Sequence, residues 1–443
     1  MKPDKVLFGV LAALILIFSA NGDAVGQDGA SPVMGLPVDD GFPLWLTEDQ
    51  YNYLPLTTNQ TSGLRYLSSY WSNDESRLFD LMMCVDDAPV GKIQLFNCFA
   101  PQYGRPGETG IQFDHRNWAF PPPEIIDFPS NPGNGYDWEG VARLGKSPYL
   151  VFVQEGDLNE INLYTARFRD PEAIDIGPID SPDYPDAMRS DISNPVRLNL
   201  PDWNTTFAPL FKNNQGIEGI ACSDDRLFLG LESPDEFGER LMGEHSTKLG
   251  IYKIDPDDPR DMSRCELLSF QDTADWKSKL GVTIETICGL SALDSHHLLG
   301  IDRDNTTLFA ITFDDDGNLL SGRAFYLDVP GPAPGPNDNC PPLNHLPKLL
   351  QPSLESVAVT QPALNRVTHE IEARIYLACD PWAPGWALYE TDWDCPQYED
   401  RLANLLPALY RYTVPLYILF PDSGIDEFDI YYPVDLPEVE LSE

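Results

Sequence analysis

The stretch Asn213-Asn214-Gln215-Gly216-Ile217-Glu218-Gly219-Ile220-Ala221, followed after a short turn by Leu227-Phe228-Leu229-Gly230-Leu231-Glu232, decides the fold. Both halves are short apolar runs rich in β-branched and aromatic residues and bounded by Gly, Asn and Asp, so they read as two strands joined by a turn. The opening phrase recurs as Glu139-Gly140-Val141-Ala142, Glu285-Thr286-Ile287-Cys288 and Glu355-Ser356-Val357-Ala358, with Ser62-Gly63-Leu64 as a weaker first copy. From Ser62 through Glu139, Glu218 and Glu285 to Glu355 the steps are 77, 79, 67 and 70 residues. That period exceeds an α-helical hairpin repeat and suits a four-stranded blade with long loops.

Every copy is followed by a second apolar run that ends in an acid. These are Leu78 to Val85 with Asp86 and Asp87, Tyr149 to Val153 with Glu155, Leu227 to Leu231 with Glu232, Leu298 to Ile301 with Asp302, and Ile375 to Cys379 with Asp380. A third run carries an aromatic: Phe96, Tyr164, Tyr252, Phe309 and Tyr389. Helical periodicity is scarce, with Arg401 to Leu409 the one candidate short helix. The expectation is an all-β, disulfide-containing β-propeller of about five blades. A sixth fits if the long steps hide one, and a strand over Phe42 to Leu46 is placed to complete the last blade. The competing architecture is an irregular pair of β-sandwiches.

Lys2 and Lys5 precede an apolar run from Val6 to Phe18, which ends at Ser19-Ala20: a signal peptide over residues 1–24. The run is shorter than the roughly 20 residues that span a bilayer, so the expected protein is secreted or periplasmic, without a membrane span. No linker divides residues 25–421, which read as a single propeller domain; the Pro-rich stretch from Pro330 to Pro352 reads as a long loop, and residues 422–443 as a frayed acidic tail. Eight cysteines suit an oxidising compartment. Cys84 with Cys98, and Cys379 with Cys395, are the pairs placed to bridge hairpins. Sequons at Asn59, Asn204 and Asn305 matter if the source is eukaryotic. A formal charge of −41 argues against nucleic acid as a partner.

The phrases Asn213 to Ala221, Leu227 to Glu232 and Leu354-Glu355-Ser356-Val357-Ala358 resemble those of the phytase-like β-propellers, the "esterase-like activity of phytase" group, and of the related SdiA-regulated propellers. The resemblance spans about residues 60 to 415. It departs from the pattern at Ser62, which replaces Glu, and at Thr286 and Ser356, which replace Gly. It implies a propeller and a hydrolase activity.

If the first run of each blade is innermost and the second returns antiparallel, the start of one and the end of the other share one face. Two rings of acids then meet at one mouth: Glu139, Glu218, Glu285 and Glu355 in the first, and Glu155, Glu232, Asp302 and Asp380 in the second, with Asp86 or Asp87. Carboxylates held close need a counter-charge. Calcium, which takes six to eight oxygens, suits this set better than zinc. The alternative is that each acid accepts backbone N–H bonds and closes the ring. With calcium bound, a phosphoester or lactone is polarised and a metal-bound water attacks it. There is no G-x-S-x-G, no H-E-x-x-H and no glycine-rich phosphate loop, which disfavours covalent catalysis. His296-His297 opens a strand in the fourth repeat, and alternation sends one ring inward and the other outward. Asp314-Asp315-Asp316-Gly317 lacks EF-hand spacing and reads as a hairpin turn. Trp138, beside Glu139, faces either a ligand or a neighbouring blade. The expected function is calcium-dependent hydrolysis of a phosphoester or related ester, the alternative a non-catalytic propeller binding a protein or glycan.

Overall fold

The computed structural model describes residues 33–39, 44–45, 61–71, 78–86, 93–100, 138–144, 149–154, 162–168, 190–211, 216–232, 245–258, 261–327, 329, 353–365, 368–380 and 408–431. Two short strands come first, β1 (Met34–Leu36) and β2 (Leu44–Trp45). The first sheet holds β3 (Thr61–Trp71), β4 (Leu78–Asp86) and β5 (Ile93–Ala100). The second holds β6 (Trp138–Arg143), β7 (Tyr149–Gln154), β8 (Asn162–Phe168) and β9 (Ser190–Leu198). The third holds β10 (Ile217–Cys222), β11 (Arg226–Leu231), β12 (Lys248–Lys253) and β13 (Glu266–Asp272). The fourth holds β14 (Gly289–Ala292), β15 (His297–Asp302), β16 (Thr307–Phe313) and β17 (Leu319–Leu327), with β1 added in parallel on its outer edge. In the fifth, β18 (Ser353–Val359) pairs with β20 (Ile371–Asp380), which pairs with β21 (Ala408–Pro415); the two-residue β19 (Ala363–Leu364) also pairs with β20.

Apart from β1, the strands run antiparallel to their neighbours. The first strands of the five described sheets touch in a closed circuit: β3 meets β6, β6 meets β10, β10 meets β14, β14 meets β18, and β18 returns to β3. A ring of radial sheets is a propeller. The register explains why a strand of this chain can be apolar throughout. All six residues of β11 are buried. Leu227, Leu229 and Leu231 face the packing between the second and third sheets, and Phe228 faces the packing between the third and fourth. Successive side chains leave a strand on opposite sides, and here each side meets another blade. Full burial of each Leu or Phe contributes about 1.5–3 kcal/mol.

The glycine of the repeated phrase has a steric reason. A Cβ on Gly63 would lie 2.9 Å from Gly140 Cα, and one on Gly140 would lie 2.7 Å from the Glu218 carbonyl oxygen, so inner strands of successive sheets approach backbone to backbone.

Several expectations meet the structure here. Leu44 and Trp45 pair with Leu409 and Ala408, so the N-terminal strand does complete the fifth sheet. Strand β18 begins at Ser353, directly after the Pro-rich stretch, which itself lies outside the described residues, as do residues 1–24. Residues 408 and 409 are strand rather than helix; the rest of Arg401 to Leu409 lies outside the described residues. Residues 422–431 are not a frayed tail: Phe428 is buried in the core, and Tyr431 bridges Ala363. The Cys84–Cys98 pairing is corrected by register, which sets Cys84 opposite Gln94 and Cys98 opposite Asp80. Four residues of strand separate the two positions, beyond the reach of a disulfide. Cys84, Cys222, Cys265 and Cys288 are buried thiols outside any disulfide; the expected Cys379–Cys395 pair lies partly outside the described residues, through Cys395. Asp314 to Gly317 forms the β16–β17 turn, with Gly317 at φ 78° and its N–H on the Asp314 carbonyl. No helix among the described residues is long and apolar enough to cross a membrane.

Candidate functional site at the ring mouth

The ladder places the start of each inner strand against the end of its partner: Thr61 opposite Asp86, Trp138 opposite Gln154, Ile217 opposite Leu231, and Ser353 opposite Asp380. Register shifts fall at Ser62, Glu139, Glu218 and Glu355, each of which is the extra residue of a β-bulge. A bulge re-aims a side chain out of the alternation. The repeated acid of the phrase is thus the bulged residue in the second, third and fifth sheets, and the glycine or serine after it resumes the ladder.

The fourth repeat departs from this. Glu285-Thr286-Ile287-Cys288 lies ahead of β14, which starts at Gly289. The cause is Asp302, fully buried at the end of β15, whose carboxylate accepts the Glu285 N–H at 3.0 Å, the Thr286 hydroxyl at 2.9 Å and the Asn305 side-chain amide at 2.8 Å. These bonds pull the segment off the ladder, and Ile287 packs where Gly219 and Gly230 leave room. Burial raises the Asp302 carboxyl to about 6 against the pull of those hydrogen bonds.

The converging acids meet a residue that the repeat pattern did not single out. Arg303, immediately after Asp302, extends its guanidinium among Glu218, Glu232 and Glu355. Its Nη1 donates to Glu355 Oε1 at 2.6 Å and lies 3.8 Å from Glu218 Oε1, while Nη2 donates to Glu232 Oε1. Acids from the third and fifth sheets are therefore joined by a base from the fourth. Burial opposes the charge of Arg303, but Cys288, Glu218, Glu232 and Glu355 together hold its guanidinium well above the ordinary value. Glu218 behaves oppositely. Burial, the charges of Glu232 and Glu355, and the insufficient relief from Arg303 push it well above the usual carboxylate range, and Glu218 Oε2 has no hydrogen-bond partner. The Cys288 thiol lies against Glu218, and burial raises it as well.

Of the remaining expected acids, Glu139 and Glu285 are buried, the Asp380 backbone closes β20, and Glu155 lies outside the described residues. Among the described residues no group of three or more His, Cys, Asp and Glu is arranged to hold a metal ion. The signal for Arg303 was in the sequence as the lone base inside Asp302-Arg303-Asp304. An arginine at the end of a run of carboxylates supplies the counter-charge that the acids require.

No family model matches the sequence, and no curated protein matches it. Solved structures do. One is a 6-phosphogluconolactonase-like protein of Bacteroides fragilis, at 13% identity and TM-score 0.26, covering 58% of this chain and 52% of that one, about half its length. Another is the aldose sugar dehydrogenase of Streptomyces coelicolor, at 8% identity and TM-score 0.30, covering 81% of this chain and 97% of that one. A third is a luciferin-regenerating enzyme, at 10% identity and TM-score 0.35, covering 85% and 96%. At those scores the propeller architecture of this chain rests on its own closed strand ring.

Proposed function

We propose that the protein is a secreted or periplasmic phytase-like propeller that hydrolyses a phosphoester or related ester at the ring mouth, with Glu218 as the proton donor. The observation that carries this is the split between neighbouring carboxyls: Glu218, 12% exposed, is pushed well above the usual carboxylate range and has one oxygen unpartnered, beside Glu232 and Glu355 tied to Arg303. Titratable pairs whose surroundings drive them apart are what acid–base catalysis uses. The phytase-like phrases support the same reading.

Calcium belongs to the proposal as an added counter-ion. Arg303 offsets one negative charge, and carboxylates of the two expected rings, Glu139 and Glu285 among them, would be the hard oxygen donors that calcium prefers. The group it would bring is charge neutralisation for an anionic ester approaching an acidic mouth.

The test is a screen of phosphoesters and lactones with the parent and Glu218→Gln, with and without calcium. Loss of a positioned general acid costs about 10²–10⁴-fold in rate. A parent that turns over none of them sinks the hydrolase and leaves the second reading, a propeller that binds a protein or glycan ligand. That reading is favoured by Asp302, whose oxygens are taken up by Glu285, Thr286 and Asn305, as in a scaffold. Calcium with no effect on turnover or on the unfolding midpoint removes the ion and leaves the acid–base pair.

A further inference from the structure

Strand β15 runs from His297 to Asp302, so its two ends lie about 16 Å apart at 3.3 Å per residue. The far end from Arg303 carries a second constellation. His297 is 2% exposed, while His296 points outward. Asp294 accepts the backbone N–H of His296 at 2.7 Å and of His297 at 2.8 Å, which fixes its carboxylate beneath the imidazole. Both carboxylate oxygens of Asp294 lie 2.8–2.9 Å from His297 Nδ1. A carboxylate accepts and does not donate, so Nδ1 carries the proton and Nε2 is left as the acceptor. Ser423 Oγ is 2.7 Å from Nε2 and donates to it. The ring is held by Phe420 at 4.8 Å and Phe428 at 4.4 Å between centroids.

From this arrangement the geometry points to a second hydrolytic site: Ser423 as nucleophile, His297 as its base and Asp294 as the positioning residue, acting on neutral carboxylic esters. The roles are those of a Ser-His-Asp triad, which is recognised by geometry rather than by chain order or motif. Absence of G-x-S-x-G therefore does not bear on it. The nucleophile sits in the turn after the short helix Leu416–Leu419, and the other two residues sit at the head of β15; 126 residues separate Ser423 from His297.

The chemistry balances without a co-reactant other than water. Ser423 Oγ bonds to the ester carbonyl carbon as its proton passes to His297 Nε2. The C–O bond to the alcohol then breaks, and His297 returns the proton to the leaving alkoxide. Water, deprotonated by the same Nε2, attacks the acyl-serine and releases the acid and the serine hydroxyl.

Glu427 shapes access and selectivity. Its Oε1 accepts the Gly424 N–H at 2.7 Å, and its Oε2 lies 3.9 Å from His297 Nε2. The backbone donor that follows the nucleophile, the natural partner for a tetrahedral oxyanion, is thus covered by a carboxylate whose side chain is 52% exposed and free to swing away. Asp422, Asp426 and Glu427 crowd the turn with negative charge, which repels anionic phosphoesters; Ile425, 56% exposed, offers apolar surface beside the serine. A short neutral acyl ester fits both facts.

The test is labelling of the folded parent with a fluorophosphonate, read by intact mass and peptide mapping, alongside the initial burst with p-nitrophenyl acetate. Expected is one adduct on Ser423, a burst of about one equivalent, and loss of both in Ser423→Ala. In His297→Gln the labelling rate falls by on the order of 10²-fold, and in Glu427→Ala it rises. Should the parent carry no adduct on Ser423, or should His297→Gln label as fast as the parent with its unfolding midpoint retained, the three residues are a strut between the C-terminal turn and the fourth sheet. Labelling concerns this site alone, so its outcome is separate from phosphoester turnover at the ring mouth.

Discussion

Replacing Arg303 by Gln removes the positive charge shared by Glu218, Glu232 and Glu355 and keeps much of the side-chain volume. The guanidinium is 19% exposed, and the Glu232 and Glu355 side chains 4% and 11%, so solvent compensates little. Breaking a buried pair by deleting one partner costs about 3–5 kcal/mol, a large share of the roughly 5–15 kcal/mol that holds a domain together. Unfolding entropy scales with length, so for a 443-residue chain that corresponds to a fall of about 3–5 °C in melting temperature. The pH dependence is the sharper signature. Glu218 is already held above the unfolded value near 4.3, and without Arg303 the repulsion that raises it goes uncompensated. The folded variant then binds more protons than the unfolded chain, so its stability falls as pH rises, by about 1.4 kcal/mol per pH unit for each carboxyl held protonated. Urea unfolding of parent and variant between pH 5 and 8 reads this directly. A difference that stays constant or shrinks with rising pH would refute the idea that Arg303 neutralises the cluster.

Four further outcomes are expected. Asp80 is fully buried and accepts Arg374 Nε and Nη2 at 2.6 Å, Tyr376 Oη at 2.7 Å and Ser69 Oγ at 2.7 Å, so Asp80→Asn should cost about 3–5 kcal/mol by urea unfolding at pH 7. Burial opposes the charge of Asp80, but Arg374 holds its carboxyl below the ordinary range; that stability is present above the unfolded value near 3.9 and is lost as pH falls through the lower folded value. Asp302, raised to about 6, acts in the opposite sense: its protonated form favours folding, so stability drops from about pH 4 to about pH 6, and Asp302→Asn should flatten that part of the profile. Gly140→Ala should lower stability by about 1–3 kcal/mol in the same assay, because the added methyl lies 2.7 Å from a backbone oxygen that cannot swing away.

The propeller was legible because its signal is repeated. Gly63 and Gly140 recur where backbones touch, and the acid-ended second runs share a face with the phrase because antiparallel pairing requires it. Three things were not legible, each for a long-range reason. Arg303 belongs to no repeat, and its partners come from strands 52 to 85 residues away. Glu285 matches the phrase in letters, yet the carboxylate of Asp302 holds it off the inner strand. Cys84 and Cys98 flank a turn in sequence, but the register of β4 on β5 slides them apart. Alternation sent one of His296 and His297 inward without choosing between them, and the partner Ser423 lay in residues read as tail.

The fifth sheet has a consequence for assembly. Its outermost pairing joins β2 to β21, and beside it Asp39 accepts Arg411 Nε and the Thr413 hydroxyl and N–H across 372 to 374 residues of chain. A loop of that size carries the full entropy of closure before any contact rewards it. The clasp cannot shut until the C-terminal strand has emerged. An N-terminal segment waiting that long leaves one edge of the forming ring unpaired, and during that interval the protein is most exposed to proteases and to other copies of itself.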